Sequence, residues 1–302
     1  MTTRDPAAER LGALDDGAAL DAFMAVRPRL FGIAYRVLGS AAEAEDVLQD
    51  AWIRWQGTDR AQVRNPAAFL TTVTTRLAIN ASTSARARKE SYVGPWLPEP
   101  VDTSDDPSLG AERAEALETA TLLLMERLTP LERAVYVLRE AFGYPYRKVA
   151  DVLDLGEANA RQLARRAKVR LGTRRTAQVD KSQHRRLLEE FVAAAHQGDL
   201  SQFERYLADD VVVRPDGGGR VHASRMEIVG VERVSLFFDN VWRKYWNNAD
   251  VRLVEANGAP ALVVETDGAP LAVVSLDVVD GRVAHVYVQV NPDKLGGLAR
   301  PA

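Results

Sequence analysis

Tyr146-Arg-Lys-Val-Ala-Asp-Val-Leu-Asp-Leu-Gly-Glu-Ala-Asn-Ala-Arg-Gln-Leu-Ala-Arg-Arg-Ala-Lys-Val-Arg-Leu-Gly-Thr-Arg-Arg175 is where apolar spacing, a tight turn and dense positive charge coincide. Val149, Ala150 and Leu153 give a short helix its buried stripe, Asp154-Leu155-Gly156 breaks it, and Glu157 opens a second helix at its positive dipole end. Ala160, Leu163, Ala164, Ala167 and Leu171 form one apolar stripe at i, i+3, i+4, i+7 and i+11. Arg161, Gln162, Arg165, Arg166, Lys168 and Arg170 fill the remaining circumference. The pattern is a helix-turn-helix whose second helix offers phosphate contacts on its flanks and base contacts from its first turns. From Ala158 to Arg175 there is no acidic residue, which argues against an ordinary solvated face.

Outward from this stretch the chain is modular. Its 302 residues suffice for two or three domains. With no cysteine, a disulfide framework, a thiolate metal site and a thiol nucleophile are excluded, in keeping with a reducing, cytoplasmic setting. Residues 1–17 read as a loose polar tail without a signal-peptide core. No apolar run approaches the roughly 20 residues of a membrane helix, so no membrane partner is expected.

The net charge of −3 hides strong segregation. Glu43 to Asp50 carries four acids and no base, Arg54 to Lys89 seven bases against Asp59, and Ser91 to Glu126 eight acids against Arg113. Two basic surfaces are thus separated by an acidic linker able to compete with nucleic acid for them.

Upstream, Phe23, Val26, Leu30, Ile33, Ala34 and Val37 recur at helical spacing up to Gly39-Ser40. The next helix buries Val47, Leu48, Ala51, Trp52 and Trp55 and turns Glu43, Asp46, Gln49, Asp50 and Arg54 outward. After a polar loop, Gln56 to Asn65, Pro66 starts a third helix, predicted to carry Phe69, Val73, Leu77 and Ile79 inward.

Ala42-Glu-Ala-Glu-Asp-Val-Leu-Gln-Asp-Ala-Trp52 resembles the core-binding helix of bacterial extracytoplasmic-function (group 4) sigma factors. Leu128-Thr-Pro-Leu-Glu-Arg133, Tyr146-Arg-Lys-Val-Ala150 and Ala158 to Leu171 resemble that family's C-terminal DNA-binding domain in order and spacing. The resemblance covers about residues 18–176 and implies a subunit that binds core RNA polymerase and promoter DNA, with no cofactor and no catalytic or metal site. It implies that Asp46, Gln49, Asp50 and Arg54 meet the clamp helices of the polymerase largest subunit. It further implies that the loop Gln56 to Asn65 captures a flipped base of the minus 10 element, with Arg60, Arg64, Arg76, Asn80, Arg86 and Arg88 as candidate contacts. At Asn80-Ala-Ser-Thr83 the chain departs from the family's usual Asp and arginines. Asn159, Arg161, Gln162, Arg165, Arg166 and Lys168 are the implied minus 35 readers.

Tyr92-Val-Gly-Pro-Trp-Leu-Pro-Glu-Pro100 lies in a linker expected over residues 92–115, between domains at 18–91 and 116–178. Its prolines hold it extended, so Trp96 and Leu97 are expected to dock on a surface. The Trp-Leu-Pro-Glu-Pro run resembles the signature of a sigma subgroup with a fused C-terminal domain. Residues 183–302 fit such a domain: helices at His184–Ala195, Leu200–Leu207 and Val231–Tyr245, then β-branched strands with hairpin turns at Asp267-Gly268 and Asp280-Gly281. The pattern resembles the α+β SnoaL-like cone, three helices on a curved antiparallel sheet enclosing a pocket. Asp216-Gly-Gly-Gly-Arg220 and Asn291-Pro-Asp-Lys-Leu295 look like the subgroup's two further signatures. They make Trp96, Leu97, Asp216, Arg220, Asn291, Asp293, Lys294 and Leu295 candidates for interdomain regulation.

Asp216, His222, Asp277, His285 and Tyr287 are the plausible acid-base groups of this domain, and no spacing forces any two together. Alternation puts Val283, His285 and Tyr287 on one face, a candidate pocket wall. A regulatory domain is the favoured reading. A SnoaL-like enzyme or small-molecule receptor tethered to DNA is the alternative, and a repressor acting without polymerase is disfavoured by the acidic helix.

Overall fold

Helix punctuation sets the layout of the first half. In the computed structural model, which describes residues 16–104, 117–172, 181–197 and 201–298, helices α1 (Asp16–Met24) and α2 (Arg27–Leu38) are followed by Gly39 at φ 76°, which closes α2. The Ser40 hydroxyl then accepts from the Glu43 amide and starts α3 (Ala41–Gln56). Most of the N-terminal tail, residues 105–116 of the acidic stretch, with Asp105 and Asp106, and Arg174 and Arg175 lie outside the described residues. The chain forms two compact units, residues 1–86 with 128–168 and residues 87–127 with 169–302.

In the first unit α2 is buried along Leu30–Leu38 and packs on Val47, Leu48, Ala51 and Trp55 of α3. The Trp55 indole donates to the Ala19 carbonyl at 3.0 Å, which ties α1 to this core. Helix α4 (Pro66–Glu90) buries Leu70, Leu77 and Ala78 together with Thr71, Thr74 and Thr75. Phe69, Val73 and Ile79, expected inward, are only half-buried. The threonines can replace them because Thr71 and Thr75 donate their hydroxyls to the carbonyls of Ala67 and Thr71.

After α5 (Thr119–Met125), which belongs to the second unit, a capping box between Thr129 and Glu132 begins α6 (Pro130–Tyr136). Helix α7 (Tyr146–Leu153) ends at Asp154, whose φ of 56° makes the left-handed turn, and α8 (Glu157–Leu171) follows. It is Asp154, not Gly156, that takes positive φ here. Arg133 and Arg36 are both buried, and the Arg133 Nε donates to the Arg36 carbonyl at 2.8 Å. Arg29 and Arg36 lie over the Phe142 ring.

The second unit contains α9 (Lys181–Gln197), α10 (Ser201–Glu204), β1 (Leu207–Asp216), β2 (Ile228–Val229), α11 (Val231–Val241), β3 (Asp250–Ala256), β4 (Ala259–Thr266), β5 (Ala269–Val279) and β6 (Arg282–Gln289). The sheet order is β2-β1-β6-β5-β4-β3. All pairings are antiparallel except β1 with β6, so the sheet is mixed and not purely antiparallel as expected. Three hairpins turn on Asn257-Gly258, Asp267-Gly268 and Asp280-Gly281, each with positive φ at both positions.

One sheet face is filled by Leu187, Leu188 and Phe191 of α9, Val234 and Phe238 of α11, and the rings of Trp242 and Trp246. Val283 joins that core with Val286 and Val288, while His285 and Tyr287 point to the other face. Simple alternation fails because Asp277 pairs with His285 whereas Val278 pairs with Val283, a bulge at residue 284. Two linker residues extend the β3 end of the sheet: Asp102 bridges Ala256, and the Thr103 amide donates to the Glu255 carbonyl at 3.0 Å.

Candidate polymerase, promoter and linker sites

Three surfaces carry the residues singled out in the sequence. On α3, Asp46, Gln49, Asp50 and Arg54 are all exposed and share one face. Ile53, with 58% of its surface open, sits in the middle of it. The sequence reading passed over Ile53. Its place at i+3 from Asp50 and i+7 from Asp46 was the available signal.

The residues of the second group differ in exposure. Arg60 is held in the fold: its guanidinium lies over the Trp55 ring, pairs with Asp16 at 2.9 Å and donates to the Gln56 carbonyl. Only 13% of its side chain is open, so it is a poor candidate for a phosphate contact. Arg76 is exposed, but its Nε donates to the Val152 carbonyl at 3.1 Å, near the C-terminal end of α7. Arg64, Asn80, Arg86 and Arg88 are exposed along the loop and α4.

On α8 all six expected readers are exposed. The helix is not free of acidic partners, as its own sequence suggests, because other helices provide them. Arg166 lies 3.5 Å from Glu132, and Lys168 pairs with Glu140 at 2.9 Å. Arg161 pairs with Glu157 and stacks over the Tyr146 ring. Asn159, Gln162 and Arg165 therefore present the least encumbered polar groups of the helix.

The third site converges on Asp216, which is fully buried. Its Oδ1 accepts from the Tyr92 hydroxyl at 2.6 Å, and its Oδ2 accepts from the Leu97 amide at 2.8 Å, the Gln289 side chain at 3.2 Å and Lys294 Nζ at 2.8 Å. Lys294 also donates to the Leu97 carbonyl at 2.8 Å and lies 4.7 Å from the centres of both the Tyr92 and Trp96 rings. Asn291 donates to the Tyr92 hydroxyl at 2.9 Å, and Arg220 pairs with Asp293. Leu97 is buried with Ala120 and Tyr287, and Leu295 packs against Val254, Ala261 and Val273.

Gly218 has φ 57°, and a Cβ there would stand 2.3 Å from Asn291 Nδ2 and 2.8 Å from the Tyr92 hydroxyl, so the glycine is needed for this approach. Burial, the main influence, pushes Lys294 below the usual lysine range, against the opposing pull of Asp216. Burial, reinforced by Asp216, raises the Tyr92 phenol, which stays a proton donor at neutral pH. Tyr92 and Gln289 were not anticipated as members of this cluster.

The plausible acid-base residues are dispersed differently from their sequence spacing. Asp277 and His285 come together across β5 and β6 at 3.1 Å, His285 stacks on Tyr287, Asp216 is engaged by the linker, and His222 is exposed on its loop.

Residues 22–88 match the family of Sigma-70 region 2, and residues 119–171 match that of Sigma-70 region 4. The chain is 34% identical over 291 residues to the ECF RNA polymerase sigma factor SigJ of Mycobacterium tuberculosis, covering 91% of this chain and 92% of that one. It belongs to the ECF sigma factors. The probable ECF sigma factor SigI of the same species is 29% identical over 92% of this chain and 94% of its own length. The crystal structure of SigJ superposes with a TM-score of 0.73 at 33% identity, covering 92% of this chain and 98% of SigJ.

As a sigma factor the protein binds core RNA polymerase and promoter DNA and directs transcription initiation, by recognition and not by catalysis. Its helical sigma regions are followed by the curved-sheet module. No helix among the described residues is long and apolar enough to cross a membrane.

Proposed function

We propose that this sigma factor engages the clamp helices of the polymerase largest subunit through the α3 face and reads the minus 35 element from α8. Arg64, Asn80, Arg86 and Arg88 contact the minus 10 strand. The C-terminal module controls these activities in cis, in the cytoplasm, by holding or releasing the linker.

The observation that carries the control reading is the Asp216 cluster. A fully buried carboxylate takes two of its hydrogen bonds from the linker and two from its own module, so undocking the linker costs it half of its partners. Hydrogen bonds to charged groups contribute about 1.5–3 kcal/mol each, and a coupling of a few kcal/mol is enough to switch an equilibrium. Asp216 lies on neither DNA nor polymerase surface in this reading. The test is transcription from a cognate promoter by the folded Asp216→Asn variant at matched concentration. A change of severalfold supports control through the linker, and wild-type output contradicts it.

A further inference from the structure

The cone-like module packs its helices against one face of the sheet, but a cleft of about 620 Å³ opens on the other face, entirely within the second unit. That volume falls within the range of small-molecule sites, about 300–1,000 Å³. One wall is sheet: His285 and Tyr287, stacked with ring planes 3° apart, and Val279. The opposite wall comes from the linker and α5, with Trp96, Ala120 and Leu123.

Two ion pairs and one histidine–carboxylate hydrogen bond engage most of its charged lining. Lys89 binds Glu126 at 2.8 Å and lies over the Trp96 ring, His285 binds Asp277 at 3.1 Å, and Arg214 binds Glu227 at 2.7 Å. Arg127 also lines the cleft, is exposed, and has no acidic partner among the described residues. The cleft therefore combines two largely apolar walls with a guanidinium, that of Arg127, that has no ion-pair partner among the described residues.

We infer that this outer-face cleft binds a planar, largely apolar organic monoanion, its ring system against the His285 ring and its anionic group on Arg127. A guanidinium offers a carboxylate or sulfonate paired hydrogen bonds, and the half-buried His285 ring, one-third open, suits a flat body. Because one wall is linker, such a ligand stabilises the docked linker by mass action. That regulatory consequence rests on the control reading above, whereas binding itself does not.

The test uses the full chain with two fluorescent probes of similar shape, 8-anilinonaphthalene-1-sulfonate, an anion, and N-phenyl-1-naphthylamine, which is neutral. Saturable binding of both at one site per chain is expected. Arg127→Gln should weaken the anion about tenfold, the loss of one charge-assisted contact, and leave the neutral probe within about twofold. Filling the cleft by Leu123→Trp, or from the sheet side by Val279→Trp, should abolish both; whichever variant retains the wild-type melting temperature decides. Absence of saturable binding, or anion affinity unchanged by Arg127→Gln and by the filling substitution, overturns the inference. Saturating probe that binds but leaves wild-type transcription unchanged would instead count against control through the linker.

Discussion

Asp216 and Lys294 meet at 2.8 Å with side-chain exposures of 0% and 13%, a buried ion pair at the junction of linker and sheet. Removing one partner of such a pair leaves a desolvated charge, and the usual penalty is about 3–5 kcal/mol. Asp216→Asn keeps part of the hydrogen bonding, so a loss near 3 kcal/mol is expected for the second unit in denaturant unfolding. The double variant Asp216→Asn, Lys294→Met should lose less than the sum of the singles, because each relieves the orphan left by the other. Strict additivity would show that the two charges do not act as a pair.

The α3 face yields a prediction about affinity without loss of fold. Asp46, Asp50 and Ile53 are exposed, so Asp46→Lys with Asp50→Lys should leave the melting temperature within a few degrees and abolish capture of core polymerase. Ile53→Asp alone should weaken capture by about tenfold or more, as expected for an apolar anchor at an interface centre. The effect of the charge reversals should be greatest at low salt, where surface charges are least screened. Polymerase capture unchanged by all three substitutions would move the interface elsewhere.

On α8 the ion pairs grade the residues. Asn159, Gln162 and Arg165 should each cost about 1–3 kcal/mol of minus 35 binding when replaced by Ala if they read bases, with preference relaxed at one base pair. Lys168 is already compensated by Glu140, so Lys168→Ala should weaken all sequences alike and by less. Glu140→Gln, which releases that lysine, should strengthen binding and steepen its salt dependence. Binding-site selection and salt titrations check both statements, and a uniform response across the five positions would contradict this division.

His184 supplies a pH dependence with a definite sign. It is 8% exposed, and its Nε2 has no hydrogen-bond partner among the described residues. Burial, the dominant influence, lowers its pKa despite the opposing pull of Asp277 and of the Leu276 backbone. The native state keeps it neutral, while the unfolded chain protonates it at an ordinary value near 6.5. Its contribution is thus complete above about pH 6.5 and is lost as pH falls toward the lowered native value. His184→Leu should reduce the acid sensitivity of the second unit in that window by on the order of 1 kcal/mol, measured by denaturant unfolding at pH 7 and pH 5. Unchanged sensitivity would remove His184 as its source.

Local chemistry made much of this architecture legible. The break after Leu153, the helix end at Gly39 and the Asp-Gly hairpins each depend on a residue's own backbone preferences, and all appear where the sequence puts them. The exposed faces of α3 and α8 likewise follow from period alone. What failed depended on distant partners. The Asp216 cluster joins side chains more than 70 residues apart, and the partners that compromise Arg60, Arg76, Arg166 and Lys168 come from other elements. The bulge at residue 284 moved Val283 to the core, an error that alternation invites, since one extra residue reverses the side-chain pattern. Asn257-Gly258 was a readable turn signal that went unused, and Asn257 also binds the linker through Val101 at 2.8 Å.

The central claim, that linker and C-terminal module act as one latch on sigma activity, is most directly tested by a double-mutant cycle in transcription. Trp96 and Lys294 are in contact, and neither belongs to the proposed DNA or polymerase surfaces. Trp96→Ala and Lys294→Met, assayed in vitro with core polymerase and a cognate promoter, should each shift output in the same direction. The double variant should shift it by clearly less than the product of the two single effects, since both open one contact. Opposite directions, a double effect equal to that product, or wild-type output from Trp96→Ala would contradict the account.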